Sequence, residues 1–111
     1  INLSQDDLFI NVVGGLKLTD TATDLAVVAA LISSDRNRPL HAKACFFGEV
    51  GLTGEIRAVP FTDLRIKEGI KLGFDQFYLP ASGRKHLDKD LLKKKVQFHW
   101  MSNVRELYES L

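Results

Sequence analysis

The chain has 111 residues, 45% of them hydrophobic and 26% charged, with a formal net charge of +1. This suits one soluble domain with its own core and excludes a strongly basic or acidic disordered chain. The one cysteine, Cys45, allows neither an internal disulfide nor a cysteine zinc cluster. No apolar run approaches the ~18 residues of a spanning helix, and no secretory leader is recognisable. The low cysteine usage suits a reducing compartment, the cytoplasm. Ile1 opens the chain and Met101 is its only methionine, which reads as a piece of a longer protein.

Leu8 to Val13 is β-branched and apolar on both faces, so a strand is expected, with Gly14-Gly15 turning the chain toward Leu16-Lys17-Leu18 as a hairpin. The polar stretch Thr19 to Thr23 can cap a helix. From Asp24 to about Ser34, Leu25, Val28, Ala29 and Ile32 follow helical spacing. Val27 and Leu31 widen that stripe, predicting a nearly fully buried helix. Asp35 to Pro39 is a polar loop carrying Arg36 and Arg38.

The centre of the chain is Gly48 to Pro60. Ala44 to Phe47 leads into it, Ile56 to Val59 leads out, and three glycines lie between. Glycine adopts positive φ without steric cost, so a wide hairpin or sharp strand-to-strand connection is expected. Leu64, Ile66, Ile70 and Leu72 then suggest a helix. Phe77 to Leu79 is a short strand ended by Pro80. Residues 88–95 suggest a short helix with Asp88 near its start and lysines at its end, matching the helix dipole. Val96 to Trp100 alternates as a strand, and Ser102 can N-cap a last helix striped by Val104, Leu107, Tyr108 and Leu111. The expected order, β-β-α-β-β-α-β-(α)-β-α over one domain, residues 1–111, implies an α+β fold, a mixed sheet packed with helices.

Chemistry is scarce in these residues. His41, His86 and His99 lack partners at metal-ligand spacing. There is no phosphate-binding glycine loop and no nucleophile elbow. Glu49 and Glu55 near the turn read as structural carboxylates rather than an acid/base pair. The charge distribution says more: residues 84–95 carry six basic groups against two acidic ones, which can place a basic face on a near-neutral domain.

The run Gly48-Glu49-Val50-Gly51-Leu52-Thr53-Gly54-Glu55-Ile56-Arg57-Ala58-Val59 closely resembles the signature of the bacterial RadA (Sms) family of DNA-repair proteins. Phe9 to Gly15, Thr23 to Ala26, Arg36 to Leu40, and Lys71 to Phe74 with Tyr78-Leu79-Pro80 are similar to the same family, in order. The resemblance implies a C-terminal domain like the proteolytic domain of Lon, of the ribosomal protein S5 domain 2-like fold. It also implies a four-cysteine zinc motif and a RecA-like ATPase core upstream, so that Zn, ATP and Mg belong to parts outside this fragment and no cofactor is expected within it. The whole protein would be a hexameric, DNA-dependent ATPase acting on recombination intermediates, including recombinase-coated DNA and branch migration.

Active Lon proteases carry a serine and a lysine. The serine position falls on Ala22 and the lysine position, counted without a gap from Gly48, on Asp63. Neither can serve: a methyl group is no nucleophile, and an acid is no neutral amine base. Thr23 lies about 100° around a helix from Ala22. Lys67, about one turn past Asp63, could in principle reach back. A non-proteolytic domain is therefore expected, with residual Ser/Lys-type peptidase activity as the alternative. The resemblance implies DNA contact through basic surface. Arg36, Arg38, Arg57 and Arg65 are the favoured residues, followed by Lys67 and Lys71, with Arg84, Lys85 and Lys93 to Lys95 also possible. A pure oligomerisation module without DNA contact is the other alternative. No membrane partner is expected.

Overall fold

A computed structural model describes residues 21–111; the strand and hairpin expected over residues 8–18 lie outside the described residues. A 3-10 turn, Thr21–Thr23, leads into helix α1, Asp24–Arg36. Then follow β1 (Ala44–Phe46), β2 (Glu49–Val50), β3 (Ile56–Arg57), α2 (Thr62–Lys71) and β4 (Gln76–Pro80). A second 3-10 helix, Ala81–His86, precedes α3 (Lys89–Leu92), β5 (Gln97–Met101) and α4 (Val104–Ser110).

β4 is the middle strand of a parallel three-stranded sheet, ordered β1-β4-β5. Its register pairs Phe46 with Tyr78 on one side and Tyr78 with His99 on the other. The sequence Gln-Phe-Tyr-Leu-Pro is apolar at consecutive positions because both faces are covered. Phe77 and Leu79 join one core with Ala22, Phe47, Val59, Ile66, Leu87 and Leu91. Tyr78, pointing the opposite way, joins another with Leu25, Ala29, Ile32, Ile56, Met101 and Leu107. The sheet thus separates α2 and α3 from α1 and α4. An α+β architecture is present. Among the described residues, however, the main sheet is wholly parallel, and antiparallel pairing is found in a separate two-stranded sheet, β2-β3, and in an isolated bridge between Glu55 and Asn103.

That small sheet corrects the expected path of the central run. The apolar runs flanking the glycines do not pair with each other. β1 is taken up by β4, and the Phe47 N–H still donates to the Tyr78 carbonyl at 3.1 Å. Gly48 then leaves the sheet: its N–H donates to the Ala22 carbonyl at 2.8 Å, and its carbonyl accepts from the Leu25 N–H at 3.0 Å. A Cβ on Gly48 would stand 3.1 Å from Pro80 Cγ and 3.2 Å from Ile56 Cγ2, so the crossing is closely packed. Only after it does the hairpin begin, pairing Glu49 with Arg57 and Val50 with Ile56. Gly54 closes the turn with φ 87°, a conformation that favours glycine.

Other boundaries shift for local reasons. α1 runs on to Arg36 because Asn37, at φ 53°, provides the left-handed C-cap, with its N–H on the Ser34 carbonyl and that of Arg38 on the Ser33 carbonyl. Only Leu25, Ala29 and Ile32 of α1 are buried; Val27, Val28 and Leu31 are half-buried, so the helix is less enclosed than its apolar content suggested. α3 has four residues, and Lys94 and Lys95 follow it as exposed chain. With no apolar residue among Lys93, Lys94 and Lys95, nothing anchors a further turn against the core. The cap of α4 is Asn103, not Ser102: Asn103 Oδ1 accepts from the Glu106 N–H at 3.0 Å, while Glu106 Oε1 reaches past the cap to accept from the Ser102 N–H at 3.0 Å.

Candidate nucleic-acid interface

Ala22 and Asp63, the two positions onto which the resemblance maps the Lon dyad, border different grooves. Ala22, 1% exposed, is locked under Gly48. It borders a groove of about 270 Å³ with Thr23, Cys45, Arg65 and Glu68. Burial pushes the Cys45 thiol up, which disfavours the reactive thiolate. Asp63, half-buried on the first turn of α2, accepts a long hydrogen bond of 3.4 Å from the Asp88 N–H. It borders a separate groove of about 300 Å³ with Phe61, Thr62, His86 and Leu87. Lys67 is exposed and does not border either groove. Among the described residues, no three His, Cys, Asp or Glu side chains gather as metal ligands.

The hairpin β2-β3 carries a dense ionic cluster. Arg57 Nη1 lies 3.2 Å from Glu49 Oε1 and Arg57 Nη2 lies 2.5 Å from Glu55 Oε1. The Thr21 hydroxyl donates to Glu49 Oε2 at 2.7 Å, and the Thr53 hydroxyl donates to Glu55 Oε2. The Thr53 hydroxyl, with the Arg57 guanidinium behind it, holds the Glu55 carboxyl down to about 2. Thr21 and then Arg57 lower Glu49, and the two carboxylates raise Arg57 in turn. One cation facing two carboxylates gives the cluster a net negative charge. Arg57 is thus half-exposed but already engaged, and Glu49 and Glu55 order the turn.

Arg36 is engaged as well. Its Nη1 donates to the Tyr108 carbonyl at 2.7 Å and the Leu111 carbonyl at 3.0 Å, and its guanidinium lies 4.3 Å from the Tyr108 ring centre. These bonds supply donors to carbonyls at the end of α4, which its own ladder leaves open. Arg65, half-buried on α2, donates from Nε to the Pro60 carbonyl at 2.9 Å. Arg38, Lys67 and Lys71 are exposed and form no ion pair among the described residues. Arg36 and Arg38 share one groove with His41 and Tyr78. Lys67 and Lys71, one turn apart, share a face of α2.

Arg84 and Lys85 stand elsewhere, together with Lys89, around a groove between the second 3-10 helix and α3. Sequence reasoning counted Lys89 within the basic run but gave it no place. Its neighbours come from two elements, a proximity that no linear spacing encodes. The aromatic ladder across the parallel sheet was equally unannounced. Phe46 stacks on Tyr78 at 4.5 Å and Tyr78 on His99 at 4.3 Å, while the His99 Nε2–H donates to Gln76 Oε1 at 2.8 Å. Burial raises Tyr78 and lowers His99.

No family model matches the chain. Individual relatives do. It is 50% identical over 82 residues, 74% of its length, to the DNA repair protein RadA of Salmonella typhimurium. It is 41% identical over 104 residues, 94% of its length, to that of Bacillus subtilis. It is 38% identical over 109 residues, 98% of its length, to that of Streptococcus pneumoniae. These matches cover 18%, 22% and 25% of the relatives, respectively, so the chain spans about a fifth to a quarter of their length.

Proposed function

Since the chain is homologous over most of its length to part of the bacterial DNA repair protein RadA, we propose that it is the Lon-like C-terminal domain of a cytoplasmic DNA-repair ATPase. In this reading the domain is non-proteolytic and serves as a DNA-binding and ring-assembly scaffold in the processing of recombination intermediates, branch migration included. Zn, ATP and Mg act in the upstream parts of that protein, and recombinase-coated DNA is a partner of the whole.

The observation that carries the DNA reading is the division among the basic residues. Arg36 and Arg57 are spent on the fold, while Arg38, Lys67 and Lys71 present charge to solvent without an ion pair among the described residues. Exposed cations of this kind bind duplex by displacing counterions, with log affinity falling by about 0.9 per phosphate neutralised for each decade of salt. Fluorescence anisotropy with duplex DNA at rising salt tests it. Each substitution Arg38→Ala, Lys67→Ala or Lys71→Ala is expected to weaken binding and flatten the salt slope by about one. Binding indifferent to all three sinks the reading.

Assembly is favoured by a second observation. Leu52 at the hairpin tip is fully exposed, and Phe61, Leu64 and Leu72 are largely exposed. Such surface suits contact between copies. Sedimentation over a range of concentrations separates a self-associating domain from one that relies on the upstream core. For the peptidase alternative, a serine-reactive phosphonate probe with unfolded casein is expected to label and cleave nothing; specific labelling of any residue overturns the non-proteolytic assignment.

A further inference from the structure

The groove between the second 3-10 helix and α3 has both a basic rim and an apolar floor. Arg84, Lys85 and Lys89 stand exposed around it, and Ala81, Leu87 and Leu92 provide apolar surface over about 560 Å³. No carboxylate lines it. Of the acidic residues in the adjoining run, Asp88 is occupied by its own helix, accepting from the Asp90 N–H at 2.9 Å. Leu92 stays 37% exposed at the groove's edge, although it belongs to a helix whose other leucine, Leu91, is buried at 3%.

We propose that this groove docks an acidic peptide segment bearing an aliphatic side chain. The rim supplies paired charge: arginine binds carboxylate through two N–H groups, and lysine adds mobile point charge. The floor supplies an apolar seat for one side chain, and the pairing of the two gives specificity that charge alone lacks. Nucleic acid fits less well. A duplex backbone offers phosphates to the rim but nothing apolar to the floor. A single strand gains from aromatic platforms, and none lines the groove. The Trp100 ring lies nearby, but the Arg84 guanidinium sits over it at 5.4 Å. None of Arg38, Lys67 and Lys71 borders the groove, so the inference is independent of the DNA reading above.

The test uses the 111-residue chain and a short fluorescein-labelled peptide of aspartate, glutamate and serine with two central leucines. Its counterpart has serine in place of the leucines, and a duplex and a single-stranded oligonucleotide serve as nucleic-acid probes. The leucine peptide is expected to bind about tenfold more tightly than its serine counterpart, and Leu92→Ser to erase that difference. Lys89→Glu is expected to weaken peptide binding about tenfold while leaving both oligonucleotides unaffected. Arg84→Glu should also weaken peptide binding. Because Arg84 also covers Trp100, Lys89→Glu carries the charge test alone. Absence of peptide binding, equal binding of the two peptides, or loss of oligonucleotide binding in Lys89→Glu overturns the proposal. Failure of the DNA reading is distinguishable, because Arg38→Ala, Lys67→Ala and Lys71→Ala leave peptide binding unchanged.

Discussion

Replacing Arg36 separates a clasp from a DNA contact. Arg36→Ala removes two charge-assisted hydrogen bonds, at 2.7 and 3.0 Å, to carbonyls of Tyr108 and Leu111, and a guanidinium stacked 4.3 Å from the Tyr108 ring centre. At a partly exposed site each bond contributes about 0.5 to 1 kcal/mol and the stacking about 0.5, for a loss of about 2 kcal/mol. For a domain of this size that is about 8 °C of melting temperature, well within a normal margin of stability. Arg36→Lys keeps the charge but cannot reproduce the planar fork or its stacking, and should lose more than half as much. Thermal unfolding followed by circular dichroism reads the stability. Duplex binding, measured well below both midpoints, reads the DNA role and should change little in either variant. The reasoning fails if Arg36→Ala melts like the parent, or if it loses DNA affinity while fully folded.

Three further substitutions probe other joints. A Cβ at Gly69 would stand 2.6 Å from Cε1 of the fully buried Phe77, so Gly69→Ala should destabilise by about 1 kcal/mol net, overpacking of about 1 to 3 outweighing the helix gain of about 1; Phe77→Leu added to it should relieve part of the loss, and denaturant midpoints of the double-mutant cycle would show whether it does. Glu55 is held at about 2, below its ordinary 4.5, so its contribution is full above pH 4.5 and disappears as pH falls toward 2. Glu55→Gln should flatten that part of the acid-unfolding profile, and a profile that keeps its slope refutes the assignment. Asn103→Ala should cost about 1 kcal/mol by removing the α4 cap, read from urea unfolding, whereas Ser102→Ala should be nearly silent.

Elements were legible in the sequence where one stretch carried its own pattern. The spacing of Leu25, Ala29 and Ile32 located α1, and the run Phe77 to Leu79 located β4. What the sequence withheld was partnership. Nothing local in Ala44 to Phe47 says whether it pairs with Ile56 a few residues on or with Gln76 to Pro80 much further away. The nearer, antiparallel answer is the natural expectation, and the parallel one is realised because Gly48 lets the chain step between layers. The basic residues show the same limit. Arg36 and Arg38 look alike in a loop sequence, yet one reaches the α4 carbonyls and the other does not, because the position of α4 is set by packing on Leu107. The register that puts Ala22 and Asp63 at the dyad positions came from resemblance to a family and could not come from periodicity.

The tie between the hairpin and the chain's far end has a bearing on how the domain assembles. The Ile56 N–H donates to the Ser102 carbonyl at 2.9 Å, the Val104 N–H to the Gly54 carbonyl at 2.9 Å, and Glu55 bridges to Asn103. β2 and β3 can meet as soon as residue 57 is made, but their outer edge stays open until residue 104 arrives. On a ribosome the hairpin would wait, half-bonded, until the residues up to Val104 are made, with its closure a late, non-local event of the kind that slows folding. In the finished protein the same tie makes the amides of Ile56 and Val104 report one opening. Fraying of α4 would release both, so their hydrogen-exchange rates should rise and fall together.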